Sequence, residues 1–231
     1  NKNYLFKKIN FGESENLYYA IIFLFISSIL LTIGHGMDLY VASLFYLGSS
    51  QFILQSFDFV SILFRDILIP VILIYILFLP IVSKYIKIER IIFNYNFRIR
   101  EIILVWISQI FSILIIVNLL LKNLWGRSRP GDIIQFEGND LFTPWYKITD
   151  SCQTNCSFVS GDASVGFGII TLYFVTKNNI YLYTSLLFGF LLGFTRIVAG
   201  GHFLSDVIFS GIVMVLCNLI IFLIYRKYYG Q

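Results

Sequence analysis

Charge is scarce in this chain. Asp, Glu, Lys and Arg together make up 13% of its 231 residues, while 58% are hydrophobic. A soluble globular domain carries about 25% charged residues, so that class is excluded. There are two histidines and three cysteines, too few for a disulfide scaffold, and no His/Asp/Glu cluster has metal-ligand spacing, so no metal centre and no cofactor are expected. No internal repeat or low-complexity tail is present, which argues against solenoids and repeat-built transporters. The net charge of +4 is dispersed. The loop 131–150 sets Asp132, Glu137, Asp140 and Asp150 against Lys147, so nothing suggests nucleic-acid binding or a broad basic landing surface.

Long apolar runs are what the chain has instead. Runs over 17–34, 67–83, 102–121, 163–176, 180–199 and 207–225 approach the roughly 20 residues needed to cross a bilayer. The expected fold is all-α, a polytopic membrane helical bundle of about six transmembrane helices in a single domain over 1–231. Glu13 and Glu15 precede the first run and His35-Gly36-Met37-Asp38 follow it, which reads as an uncleaved span rather than a signal peptide. Pro70 and Pro80 sit in the second run, where neighbouring helices tolerate them.

Lys2, Lys7, Lys8, Lys84, Lys87, Arg90, Arg98, Arg100, Lys177, Arg226 and Lys227 fall on one side of these spans. Arg65, Lys122, Arg127, Arg129, Lys147 and Arg196 fall on the other. The richer side is cytoplasmic by the positive-inside rule, with both termini inside. Within 38–66, the spacing of Ile53, Phe57, Val60 and Phe64 suggests an amphipathic helix in the outer interface; a short core helix or a seventh span are the other readings.

Three motifs then fall on one face. The first is Arg196-Ile197-Val198-Ala199-Gly200-Gly201-His202-Phe203-Leu204-Ser205-Asp206. His202 and Asp206 are one helical turn apart and can share a helix face. Asp206 can accept the Nδ1–H of His202, leaving Nε2 as base or nucleophile, beside the permanent charge of Arg196. The second is Lys122-Asn123-Leu124-Trp125-Gly126-Arg127-Ser128-Arg129-Pro130, whose Lys122 and Arg129 can clamp a phosphate, or simply snorkel at a helix end. The third, Ser160-Gly161-Asp162, opens the fourth run, as an anion site at a helix N-terminus or as an ordinary N-cap. Together they supply cations, an N-terminal anion nest, a histidine with its orienting carboxylate and a spare carboxyl, a phosphoryl-transfer set that needs no metal.

The chain resembles the type 2 phosphatidic acid phosphatase (PAP2) superfamily of integral membrane lipid phosphatases. The family pattern is Lys-x6-Arg-Pro, Pro-Ser-Gly-His and Ser-Arg-x5-His-x3-Asp, matched at Lys122, Arg129, Pro130, Ser160, Gly161, Arg196, His202 and Asp206. Val159 replaces Pro, Thr195 replaces Ser and Asp162 replaces His. The resemblance implies that His202 attacks phosphorus to form a phosphohistidine, that Asp206 holds His202, and that Lys122, Arg129, Ser160, Gly161 and Arg196 bind the phosphoryl oxygens. Asp162 stands where the family's proton donor stands, and a carboxyl can serve only if protonated. His35 is another candidate acid, and a phosphate leaving group would need none.

Trp125-Gly126-Arg127, Phe142-Thr143-Pro144-Trp145 and Cys152…Cys156-Ser157 resemble the lipid A 4′-phosphatase-like branch. The resemblance implies a lipid phosphatase on the periplasmic face of the bacterial inner membrane, its substrate a lipid phosphate of the outer leaflet. Undecaprenyl diphosphate or phosphatidylglycerophosphate are alternative substrates, and a lipid-binding or transport protein with a degenerate site is the non-enzyme alternative. Cys152 and Cys156 can pair in an oxidising periplasm if their Cα atoms come within about 7 Å; a metal site there lacks histidine partners. The oligomeric state stays open.

Overall fold

The structure is a computed structural model that describes residues 15–34, 36–56, 59, 62–85 and 97–229. His35, Lys2, Lys7, Lys8, Lys87, Arg90, Phe57 and Val60 lie outside the described residues.

The apolar runs become helices because only a helix satisfies every backbone group away from water. They are α1 (Glu15–Ile33), α2 (Met37–Ser43), α3 (Ile69–Tyr85), α4 (Ile99–Leu124), α5 (Gly161–Phe167), α6 (Ile170–Thr176), α7 (Asn179–Val198) and α8 (Leu204–Tyr229). A widened, π-helical stretch over Ile62–Leu68 leads into α3, and another occupies Ile110–Leu121 inside α4. Among the described residues, four helical segments are long and apolar enough to cross a membrane: Asp66–Ser83, Ile99–Leu124, Asn179–Val198 and Leu204–Tyr229. Tyr18–Leu30 and Gly161–Thr176 are apolar but shorter. The protein is thus a helical membrane protein, with the expected six apolar segments unequal in length.

The fourth segment is short because it is broken. The turn at Gly168 and Ile169 interrupts it, and Gln109 of α4 fills the gap, donating to the Gly168 carbonyl at 2.8 Å and to the Thr171 hydroxyl at 2.6 Å. Thr171 passes the network on to Asn218 of α8. The backbone groups freed by the break are satisfied by side chains. An apolar cleft of about 200 Å³ opens beside this break, lined by Ile72, Tyr75, Leu79, Val105, Ile169 and Leu172 among others.

Of the residues expected in an amphipathic helix, Ile53 lies instead in a 3-10 turn that follows a hairpin, Phe64 lies in the helical stretch Ile62–Leu68, and Phe57 and Val60 fall outside the described residues. β1 (Tyr46–Gly48) and β2 (Gln51–Phe52) pair antiparallel, with Tyr46 opposite Phe52, and Ile53–Ser56 forms the turn. Ser49 and Ser50 both adopt left-handed φ, the geometry of a two-residue hairpin loop. Packing overrides the helical spacing: Phe52 is fully buried with Ala42, Ile133, Phe136 and Phe203. This small aromatic cluster joins α2, the hairpin and the loop after α4 to the residue that follows His202.

Candidate active site at one end of the bundle

Four helix ends meet here. Lys122 closes α4, Ser160 caps α5, Arg196 lies in the last turn of α7, and Asp206 in the first turn of α8. The α5 and α8 ends are joined by the Ser160 N–H to the Asp206 carbonyl at 3.2 Å, and by Ser210 Oγ, which donates to the Ser160 carbonyl at 2.8 Å.

The five-residue gap between Arg196 and His202 is a helix stop. The N–H of Gly201 donates to the Arg196 carbonyl at 2.9 Å and that of Gly200 to Ile197 at 3.0 Å, with Gly200 at φ 64°. This is the left-handed C-terminal motif that glycine favours. At Gly201 a Cβ would meet the Arg196 guanidinium, so a side chain there would push it aside. The spacing folds the chain so that His202 N–H also reaches the Arg196 carbonyl, at 3.3 Å.

His202 therefore lies just before α8, not on its face as its spacing from Asp206 suggests. Its Nδ1 is 3.7 Å from Asp206 Oδ2, longer than a hydrogen bond, and Nδ1 has no hydrogen-bond partner among the described residues. Asp206 is held instead by three other donors. Its Oδ2 accepts from the Phe203 N–H at 2.8 Å and Ser157 Oγ at 2.5 Å, and its Oδ1 from Arg127 at 2.6 Å. Reaching back to Phe203 is the carboxylate half of a capping box. Burial pushes the His202 imidazole down from 6.5 to about 4; Asp206 opposes this, while Lys122 and Arg129 add to it. A neutral ring is the form a nucleophile needs.

Arg127 carries more of this architecture than its sequence position suggests. It counts by position as one more outer-side charge, yet it is fully buried. Nε donates to the Thr143 carbonyl at 2.9 Å, Nη1 to Ser205 and Asp206, and Nη2 to Asp38 at 2.7 Å. The ring of Phe203 lies 4.3 Å from its Cζ. Burial works against its charge, but Asp206 and Asp38 outweigh that and hold its pKa above the usual value. Asp38, at the start of α2, also accepts from the Ser205 N–H at 2.9 Å and from the Ser205 hydroxyl. Sequence reasoning missed Arg127, Asp38, Ser157 and Ser205 as site residues. The one signal was the Gly-Arg-x-Arg-Pro alternation: in non-helical chain, residues two apart share a side only when the strand is regular, and here Arg127 turns inward while Arg129 faces the opening.

The outer layer holds the expected phosphate ligands. A Cβ on Gly161 would sit 3.3 Å from Lys122 Nζ, so the ammonium lies against the start of α5. Lys122 donates to Asn155 Oδ1 at 3.1 Å and Arg129 to the Asn155 carbonyl at 2.7 Å. Arg196 Nε pairs with Asp162 Oδ2 at 3.1 Å. Ser160 is fully buried and its hydroxyl caps the Ala163 N–H at 3.4 Å, so it serves the helix. Cys152 and Cys156 are joined as a disulfide, their Cα atoms 5.6 Å apart. Lys122, Arg129, Ser160, Gly161, Asp162, Arg196, His202 and Asp206 are thus brought to one end of the bundle.

Residues 102–229 match the PAP2 superfamily. The chain belongs to the PAP2 superfamily. Three curated relatives are similar to it, each named Lipid A 4′-phosphatase. The protein of Francisella tularensis subsp. novicida (strain U112) is 39% identical over 118 residues, 49% of this chain and 53% of that protein. That of Rhizobium leguminosarum is 38% identical over 97 residues, 41% of this chain and 42% of its own length. That of Rhizobium etli is 38% identical over 96 residues, 40% and 37% of the two chains. The chain spans about half the length, or less, of the curated relatives it matches. No solved structure matches it.

Proposed function

We propose that this PAP2 member is a single-domain lipid phosphatase that works without a metal, removing a phosphate from lipid A through a phosphohistidine on His202. The observation that carries the reading is the buried imidazole of His202, next to Asp206 and at the same end of the bundle as Lys122, Arg129 and the start of α5. The names of its relatives support lipid A as the substrate class. We place the site at the outer leaflet of the bacterial inner membrane, with both termini cytoplasmic, on the distribution of Lys and Arg.

In this reading His202 Nε2 attacks phosphorus as the bond to the lipid oxygen breaks, and water later hydrolyses the P–N bond. Lys122, Arg129, Arg196 and the Gly161 N–H hold the phosphoryl oxygens, where charge builds in the transition state. Asp206, anchored by Arg127, stabilises the ring through Nδ1; the 3.7 Å separation closes when His202 gains charge, since such contacts tighten in the reacting complex. Asp162 is the proton donor to the leaving oxygen. Its Oδ2 faces Arg196 as an acceptor, so it turns donor only after the incoming phosphoryl group takes over the guanidinium.

Mass spectrometry of phosphate release from purified lipid phosphates is the test, run with and without a strong chelator. Release from a lipid A phosphate, unchanged by chelation and inhibited by vanadate, is the expected result. Preference for a polyprenyl diphosphate or a glycerophospholipid phosphate would move the substrate assignment. Loss in chelator with recovery on adding a divalent ion would remove the metal-free site.

A further inference from the structure

Asn155 is used by none of the motifs, yet it touches two of the cations. Its Oδ1 is 3.1 Å from Lys122 Nζ and its carbonyl oxygen 2.7 Å from Arg129 Nη2. It sits inside the loop closed by Cys152 and Cys156, at φ 51°, a left-handed conformation that asparagine tolerates. The loop is clipped down on both sides. Cys152 N–H donates to the Gly126 carbonyl at 2.9 Å, and Ser157 N–H to the Arg127 carbonyl at 2.8 Å. Ser157 in turn donates to Asp206. Asn155 is therefore fixed relative to the inner web while its two oxygens point at the outer cations.

We propose that Asn155, presented by the Cys152–Cys156 loop, is a positioning residue that sets Lys122 and Arg129 for the phosphoryl group. This rests on the reading of the nest as the phosphate site. The chemistry suits the task. An ammonium has three donors and a guanidinium five, so each cation has more donors than its Asn155 contact uses. An amide and a carbonyl orient the cations without adding negative charge beside the incoming phosphate; a carboxylate in the same place would compete with it. The two contacts also counter the side-chain freedom of Lys and Arg, which otherwise has to be lost when the ligand binds. The disulfide holds the left-handed turn, so the pairing of Cys152 with Cys156 reaches the phosphate site through Asn155.

The test uses the whole chain in detergent and inorganic phosphate as the probe, with Kd from isothermal titration calorimetry and KM and kcat on a lipid phosphate. Asn155→Gly keeps the turn and the carbonyl and removes the side-chain amide, and with it the Oδ1 that accepts from Lys122. It should raise Kd and KM roughly tenfold with kcat and the pH profile little changed, the loss of one bond to a charged donor. Asn155→Asp should raise Kd further. Cys152→Ser with Cys156→Ser, or reduction of the disulfide, should also raise Kd, and adding Asn155→Gly to that pair should have less effect than it does alone. If Asn155→Gly and Asn155→Asp bind phosphate as the unaltered chain does, the loop is structural only and the proposal is overturned, whatever happens to the melting temperature. If the unaltered chain binds phosphate in a Lys122-dependent way but turns over no lipid, the phosphatase reading fails and this one is still judged on Kd. If it binds no phosphate, both fall.

Discussion

The inner and outer layers of the site use the same kinds of residue in opposite ways. Inside, Arg127 is fully buried between Asp38 and Asp206. Outside, Lys122 and Arg129 rest on the neutral oxygens of Asn155, and Arg196 on Asp162, a quarter or less exposed at 22%. A buried charge that has lost its partner is costly, so the inner web has one arrangement and holds it. The outer cations have partners that a phosphate can replace or share. Rigid support behind exchangeable donors is what transition-state stabilisation requires, because donors already in place cost no reorganisation during reaction.

Removing the group that both layers serve should have the largest effect. His202→Ala is expected to lower kcat on the lipid substrate by at least about 10⁴-fold, as for a lost nucleophile, without unfolding the chain. Near-normal turnover in that variant would end the phosphohistidine mechanism. Next comes the exchangeable carboxylate. Asp162→Asn should reduce kcat on the lipid by about 10²–10⁴ and spare an activated aryl phosphate, whose leaving group needs no proton. Equal losses on both substrates would make Asp162 a partner of Arg196 and nothing more.

The inner web is tested by Arg127→Met, which leaves Asp38 and Asp206 buried without their cation. A loss of about 3–5 kcal/mol is expected in thermal or denaturant unfolding in detergent. The outer pair, in which Arg196 and Asp162 are 9% and 22% exposed, is weakened by Asp162→Asn, whose amide oxygen can still accept from the guanidinium, and that change should cost less than Arg127→Met in the same measurement. Similar losses from the two variants would erase the distinction between the layers.

A further effect concerns acid. The folded imidazole of His202 titrates near 4, below its ordinary 6.5, so between those values the unfolded chain binds the extra proton and stability rises with pH. Relative to His202→Gln, the unaltered protein should lose up to roughly 1.4 kcal/mol for each pH unit below about 6.5, levelling off near 4. A stability difference that stays flat over that window would show that His202 is not held neutral.

By itself the sequence determined the helical membrane class and the gathering of Lys122, Arg129, Ser160, Gly161, Asp162, Arg196, His202 and Asp206 at one end. Apolar runs of near-spanning length permit little else in lipid, and the alternation of spans carries motifs at successive helix ends to the same side. The place of His202 before α8, the direction of Arg127 and the service of Asn155 were decided only by tertiary structure. So was the hairpin that buries Phe52 just before Ile53. Arg127 and Arg129 look alike in an irregular segment with no periodicity to separate inside from outside. The Asp38–Arg127 pair joins residues 89 apart, and a charge far along the chain becomes a partner only once packing brings the two into the same dry space.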